Sequence, residues 1–187
     1  MERNLQRSDL YELMLTGLLT ALVMAATSFF RIPVLATNGY IHLGDTMVFL
    51  SVLILGRRNG TIAAASGSAL ADLLGGYAHW APWTFVIKGL MAFVTATILY
   101  ARRPESGDAS EDGSDSEKRS VLTSAFAMTV GGLVMIAGYF IAQRILYGNF
   151  AAPLAALPGN IIQAAAGIIA AEAVSAALRK AAPQALR

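Results

Sequence analysis

Apolar positions gather into six runs separated by short polar breaks. Residues 1–10 are a polar lead. Residues 11–30 then carry a run of spanning length, since about 20 helical residues cross a hydrocarbon core. Arg31, Pro33 and the Asn38-Gly39 pair interrupt it, so 31–42 is expected to be a loop. The second run, 43–56, is short for a crossing, and runs of about 10–14 residues also occur as re-entrant or core segments. Gly56-Arg57-Arg58-Asn59-Gly60 is a compact basic turn. Runs three and four cover 61–76 and 82–100. A charged, Ser/Gly-rich linker at 102–119 is expected to stay disordered. Runs five and six cover 121–146 and 159–178, ahead of a basic tail. The pattern predicts an all-α fold: one membrane domain, residues 1–187, built as a bundle of six transmembrane helices.

Composition sharpens the class. The chain is 56% hydrophobic and 14% charged, against about 25% charged residues in an ordinary soluble domain. A net charge of +2, with the basic residues dispersed, makes no case for nucleic acid. The absence of cysteine removes disulfides, thiolate metal sites and cysteine nucleophiles. No cleavable signal is expected, because the first run is long and further spans follow it.

Charge placement sets the expected topology. With a cytoplasmic N-terminus and six crossings, Arg3, Arg7, Arg57, Arg58, Arg102, Arg103, Lys118, Arg119, Arg179, Lys180 and Arg187 all fall inside. Only Arg31, Lys88 and Arg144 lie at or near the other face. Basic residues favour the cytoplasmic side, so both termini are expected there and the short second run counts as a crossing. Loops 31–42, 77–82 and 147–158 then share the outer face, and they are rich in aromatic and His residues where the inner loops are not.

The stretch 72–90 is the least generic part of the chain. It holds Asp72, the Gly75-Gly76 pair, Tyr77, His79, Trp80, Pro82, Trp83, Phe85 and Lys88. It reads as a helix end, a tight turn and a helix start, with interfacial aromatics forming one wall of a small-molecule site. Ionisable groups inside spans are costly in lipid, so they face a cavity or each other. Asp72 and Lys88 accordingly read as an ion pair fixing the hairpin between runs three and four, or as ligand contacts. Asp45, near the start of run two, reads as a first-turn acid held by free backbone N–H groups, or as a ligand contact. Arg144 reads as a snorkelling side chain or a weaker ligand contact. His42 and His79 sit at the outer boundary, where a lone His is a polar tip more often than a metal ligand.

Asn160 and Gln163 follow Pro158-Gly159 and are expected to open the sixth helix. Two amides one turn apart can read the donor–acceptor edge of a heterocycle, or bond between helices. Glu12 and Glu172 read as solvated. No phosphate-binding Gly loop, HExxH or GxSxG occurs, so no ATP hydrolysis, catalytic residue, metal or cofactor is expected. A membrane enzyme using Asp45, Asp72 and His79 stands as a rival class, and a membrane scaffold as another. Two stripes of small residues at every fourth position, Gly17-Ala21-Ala25 and Ala63-Gly67-Ala71-Gly75, allow close helix approach. The second is expected to pack inside the bundle. The first packs inside or docks a partner.

IHLGD at 41–45, GSALADLLGGYAHWAPWTFVIKGL at 67–90 and PGNIIQAAAGIIAA at 158–171 resemble the substrate-binding S component of an energy-coupling factor (ECF) vitamin transporter. The likeness spans the chain except the tails and the linker, and is strongest to the branch grouped with riboflavin, hydroxymethylpyrimidine and pyridoxine S components. It implies a six-helix bundle with an outward-facing vitamin pocket in the plasma membrane of a prokaryote. It also implies partnership with a membrane T component and two cytoplasmic ATPase subunits. The family's Ala-x-x-x-Ala docking motif matches Ala21 and Ala25, with Gly17 one turn earlier, and implies that this stripe faces outward. The chain begins Met-Glu-Arg, unlike the Met-His start of the cobalt and nickel branch, so a metal substrate is not expected. The expected ligand is a flat vitamin ring, hydroxymethylpyrimidine or pyridoxine before riboflavin. Tyr77, Trp80 and Trp83 would stack on it and Asn160 and Gln163 would read its edge. His79, Lys88, Arg144, Asp45 and Asp72 are further candidates.

Overall fold

A computed structural model describes residues 2–29, 31–34, 39–101 and 113–181. Its elements are α1 (Glu2–Phe29), β1 (Arg31–Val34), β2 (Gly39–His42), α2 (Gly44–Leu74), α3 (Ala81–Ala101), α4 (Gly113–Tyr147) and α5 (Ala151–Ala181). All five helices contain stretches long and apolar enough to cross a membrane. The second and third apolar runs are two helices, as expected, that meet without a loop and are labelled together as α2. It is broken at Gly56, whose φ of 78° and ψ of −171° lie outside the helical region and suit only glycine. The break reverses the chain. Ser51 Oγ donates to the Gly60 carbonyl at 3.1 Å, whereas nine residues of straight helix would separate them by about 13 Å. The basic turn is thus reduced to one residue, because the second half of α2 starts immediately after Gly56.

Other boundaries also differ from the expected ones. Residues 31–34 and 39–42 are not irregular loop but an antiparallel hairpin, with Ile32 opposite Ile41 and Pro33 opposite Tyr40. Both strands of a two-stranded sheet are edges, so Pro33 is tolerated. Helix α4 begins at Gly113, so 113–119 are helical rather than disordered. The rest of that linker, 102–112, lies outside the described residues. Helix α5 starts at Ala151, eight residues before Gly159. Asn149 Oδ1 accepts the Ala152 N–H at 3.1 Å and caps it. Pro153 falls in the first turn, where its missing N–H costs nothing, and Pro158 forgoes one interior bond without ending the helix. Asn160 and Gln163 therefore lie well inside α5 rather than at its opening.

Helix α2 is the centre of the bundle and packs on α1, α3 and α5, while α3 meets α4 and α4 meets α5. Its first half is buried almost throughout, including Val48, Phe49, Leu50, Val52 and Leu53. The outer helices bury one face and expose large apolar residues on the other, such as Leu13 and Leu18 of α1, Leu133 and Ile141 of α4, and Ile162 and Ile169 of α5. Such a belt would drive association in water, but lipid solvates it.

The two small-residue stripes are disposed differently. Ala63, Gly67 and Ala71 of α2 are buried. A Cβ built on Gly67 would lie 2.8 Å from the Val23 Cβ and within contact of the Thr20 carbonyl, so α1 rests directly on this glycine. On α1 itself Leu19, Val23 and Thr27 turn inward, whereas Gly17 and Ala21 are exposed and Ala25 is half-buried. Gly67→Leu is expected to push α1 off the bundle and lower stability by about 1–3 kcal/mol, as overpacking does. A thermal-unfolding midpoint in detergent equal to that of the wild type would contradict this contact.

Candidate functional site

The hairpin meets the bundle at one end, and a buried polar network begins there. Strand β2 ends at His42, whose backbone N–H donates to Gln163 Oε1 at 3.0 Å. The Gly44 N–H donates to His42 Nδ1 at 2.9 Å. His42 thus serves the free N–H at the start of α2. Asp45 is the acid of the first turn of α2, as expected, but it makes no cap bond: Leu43 holds the cap position without a side-chain bond.

The Asp45 carboxylate points into the bundle instead. Its Oδ1 is paired with Lys88 Nζ, and both side chains are fully buried. Its Oδ2 accepts from Gln163 Nε2 at 2.9 Å. Lys88 Nζ also lies 3.0 Å from Met135 Sδ and 5.5 Å from the centroid of the Tyr139 ring. Helix α5 approaches closely here, since a Cβ on Gly167 would sit 2.8 Å from the Asp45 Cβ. Four parts of the chain therefore converge on one ion pair: the start of α2, α3, α4 and α5. A buried pair survives in a low-dielectric interior only when further hydrogen bonds satisfy it, and Gln163 supplies one.

The pairing corrects one expectation. Lys88 binds Asp45, not Asp72, although Asp72 is nearer in sequence. Trp80, in the turn just before α3, and Thr84 and Lys88 on the helix follow at four-residue spacing, with the Thr84 N–H donating to the Trp80 carbonyl at 2.9 Å, and that face meets α4 and the start of α2. Asp72 is buried in the last turn of α2 at 3% exposure. The partner of a buried charge is chosen by which helix faces meet, not by separation along the chain.

The same α3 face continues towards the hairpin end as an aromatic layer. On α4 it is matched by Met135, Tyr139, Gln143 and Tyr147, again four residues apart. The Tyr139 hydroxyl lies 3.3 Å from Thr84 Oγ1. Trp80, 5% exposed, has its ring centroid 6.0 Å from Tyr139 and 6.3 Å from Tyr147. The site thus grades from charges in the interior to edge-packed aromatics at the end of the bundle. Such a gradient suits a flat, partly polar molecule: rings supply apolar contact, and deeper groups supply orientation.

The remaining candidates are placed less centrally. Tyr77 and Trp83 are half-buried and pack against the core. His79 is exposed, 5.9 Å from the Trp80 ring. Arg144, half-buried, sits 4.6 Å over the Phe150 ring in a cation–π contact. Asn160 is half-buried. Gln163 bonds both the hairpin and Asp45, so its amide is engaged by the protein. Among the described residues no three His, Asp or Glu side chains gather into a possible metal group, and Asp45, Asp72 and His79 form none. At the other end Glu172 is half-buried rather than solvated and accepts from Ser124 Oγ across α4 and α5, and Glu12 accepts from Asn59 Nδ2 at 3.1 Å.

Thr84, Met135, Tyr139, Gln143 and Tyr147 were missed as candidates. The signal was present on α4, where two tyrosines and a glutamine recur every fourth position in an otherwise apolar helix. Its meaning depended on knowing that this face meets Trp80 and Lys88.

Comparison with known proteins places this arrangement. The family model described as ECF-type riboflavin transporter, S component, matches residues 8–180. An uncharacterised protein of Pyrococcus woesei is 34% identical over 147 residues, covering 79% of this chain and 87% of its own. The thiamine precursor transporter HmpT of Lactococcus lactis subsp. cremoris (strain MG1363) is 23% identical over 172 residues, covering 91% of this chain and 89% of its own. A solved S component of a bacterial ECF transporter shares the fold, with a TM-score of 0.68 at 18% identity, covering 92% of this chain and 97% of the other.

Proposed function

The chain belongs to the family of ECF-type riboflavin transporter S components, and from that premise we propose that it captures a single-ring heterocycle at the hairpin end of the bundle. As a family member it is a multi-pass plasma-membrane protein and the substrate-binding subunit of a vitamin-type transporter. Hydroxymethylpyrimidine or pyridoxine is the proposed substrate, ahead of riboflavin. The observation that carries this is the aromatic layer of Trp80, Tyr139 and Tyr147 lying over the Asp45–Lys88–Gln163 network. The name of the Lactococcus relative, a thiamine precursor transporter, supports a pyrimidine. Trp80, with Tyr77 and Trp83 beside it, stacks on the ring. Asn160 and the polar network read its edge, and His79, Arg144 and Asp72 lie further out.

Six crossings with cytoplasmic termini are part of the proposal. The chain reversal at Gly56, which makes α2 two antiparallel segments, supports the count, and six crossings would put both termini on the side favoured by the basic residues. The T component and two ATPase subunits supply the energy, in keeping with the lack of a phosphate-binding loop in this chain. The exposed stripe of Gly17 and Ala21, with Ala25, receives the T component.

Both tryptophans of the chain, Trp80 and Trp83, lie in this region, so intrinsic fluorescence reports on it. Titration of the detergent-purified protein with hydroxymethylpyrimidine, pyridoxine and riboflavin is expected to give saturable quenching by a single-ring compound. Mass spectrometry of ligand retained through purification is expected to find the same compound. Folded protein that responds to none of the three would remove the proposal.

A further inference from the structure

We infer that Gln143 is a specificity-determining residue of this site, its side-chain carbonyl accepting a hydrogen bond from an amino group on an aminopyrimidine ligand. The inference rests on the binding reading above and deepens it.

The starting point is a contrast between two buried glutamines. Gln163 is satisfied at both ends: its oxygen takes the His42 N–H and its nitrogen donates to Asp45. Gln143 is 5% exposed, and its Oε1 has no hydrogen-bond partner among the described residues. Buried carbonyls of this kind are rare in folded proteins, because an unmet acceptor forfeits its hydration. An unmet one beside a ligand site has a ready explanation in a donor that arrives with the ligand.

Position points the same way. Gln143 lies one helical turn from Tyr139 and one from Tyr147 on α4. Both tyrosines touch Trp80. Its amide therefore belongs to the aromatic layer, where a stacked ring would present its edge, and not to the charged layer around Lys88. A neutral acceptor discriminates by donor. It favours an exocyclic amine or ring N–H, and it gains nothing from a ring edge carrying hydrogen alone. Sites that hydrogen-bond a substrate group reject analogues lacking it more strongly than apolar pockets reject a size change.

The test compares two probes on two proteins. The probes are 4-amino-5-hydroxymethyl-2-methylpyrimidine and its analogue with hydrogen in place of the amino group. The proteins are the wild type and Gln143→Leu, each purified whole in detergent, with dissociation constants read from tryptophan quenching. The wild type is expected to favour the amino compound by about 10- to 100-fold, and Gln143→Leu to bind both about equally, at the wild type's affinity for the analogue. Without ligand, Gln143→Leu is expected to melt at or above the wild type, because it removes an unmet polar atom. A variant that keeps the amino preference overturns the inference. So does a variant that misfolds or melts well below the wild type, since the carbonyl would then serve the protein itself. A wild type that binds riboflavin but neither pyrimidine overturns the inference and leaves the binding reading standing. A wild type that binds no heterocycle removes both.

Discussion

Lys88→Met leaves the Asp45 carboxylate buried without its cation, and the protein is expected to lose about 3–5 kcal/mol of stability. That is a large share of the roughly 5–15 kcal/mol that holds a domain folded, so folded yield should fall steeply. The reason is local. Asp45 and Lys88 are both fully buried, and the other bond to the carboxylate comes from the neutral Gln163 amide. Adding Asp45→Asn to Lys88→Met removes the orphaned charge and keeps an oxygen for Gln163. The double variant is therefore expected to recover most of the lost stability, the usual behaviour of a buried pair removed whole. Unfolding midpoints of the four proteins in one detergent complete the cycle. If Lys88→Met melts like the wild type, or the double variant is worse than the single, the pair is not isolated from water.

Ala21→Trp is expected to abolish uptake by the complete transporter while leaving ligand binding by the isolated subunit near normal. Ala21 and Gly17 lie on the exposed face of α1, opposite Leu19 and Val23, which pack inward. A Cβ on Gly17 would meet nothing within 4 Å. Lipid already solvates apolar side chains, so helices associate in a membrane through close packing, and small residues at every fourth position permit it. An indole on this stripe would hold a partner helix away without touching Asp45, Lys88 or Trp80. Transport assays in cells carrying the whole complex, beside binding assays on the purified subunit, separate the two effects. Normal uptake would show that the partner docks elsewhere. Lost binding would show that the stripe acts on the site.

Much of the architecture was legible along the chain. Hydropathy marked the helical segments because lipid demands apolar side chains and internally satisfied backbone over a set length. The motifs at 41–45, 67–90 and 158–171 were enough to identify the family, since they combine polar and aromatic residues at places where a generic span has none. Boundaries were less legible. Asn149 and Pro153 start α5 well before the last apolar run, and Gly113 starts α4 within a charged stretch, because helix continuation tolerates polar residues that a hydropathy reading treats as breaks.

By itself, the sequence determined that this is a multi-span helical membrane protein of the S-component family, and it singled out Asp45, Lys88, Trp80 and Gln163 as residues out of place in lipid. The tertiary structure alone decided what those residues do to one another. Lys88 pairs with Asp45 across the bundle rather than with Asp72, which is nearer along the chain; Gln163 ties the hairpin to that pair; Gln143 keeps an open acceptor among the tyrosines. The cause is physical: composition and period report how each residue meets its solvent, whereas a buried charge or amide is satisfied by whichever helix face the packing brings opposite it.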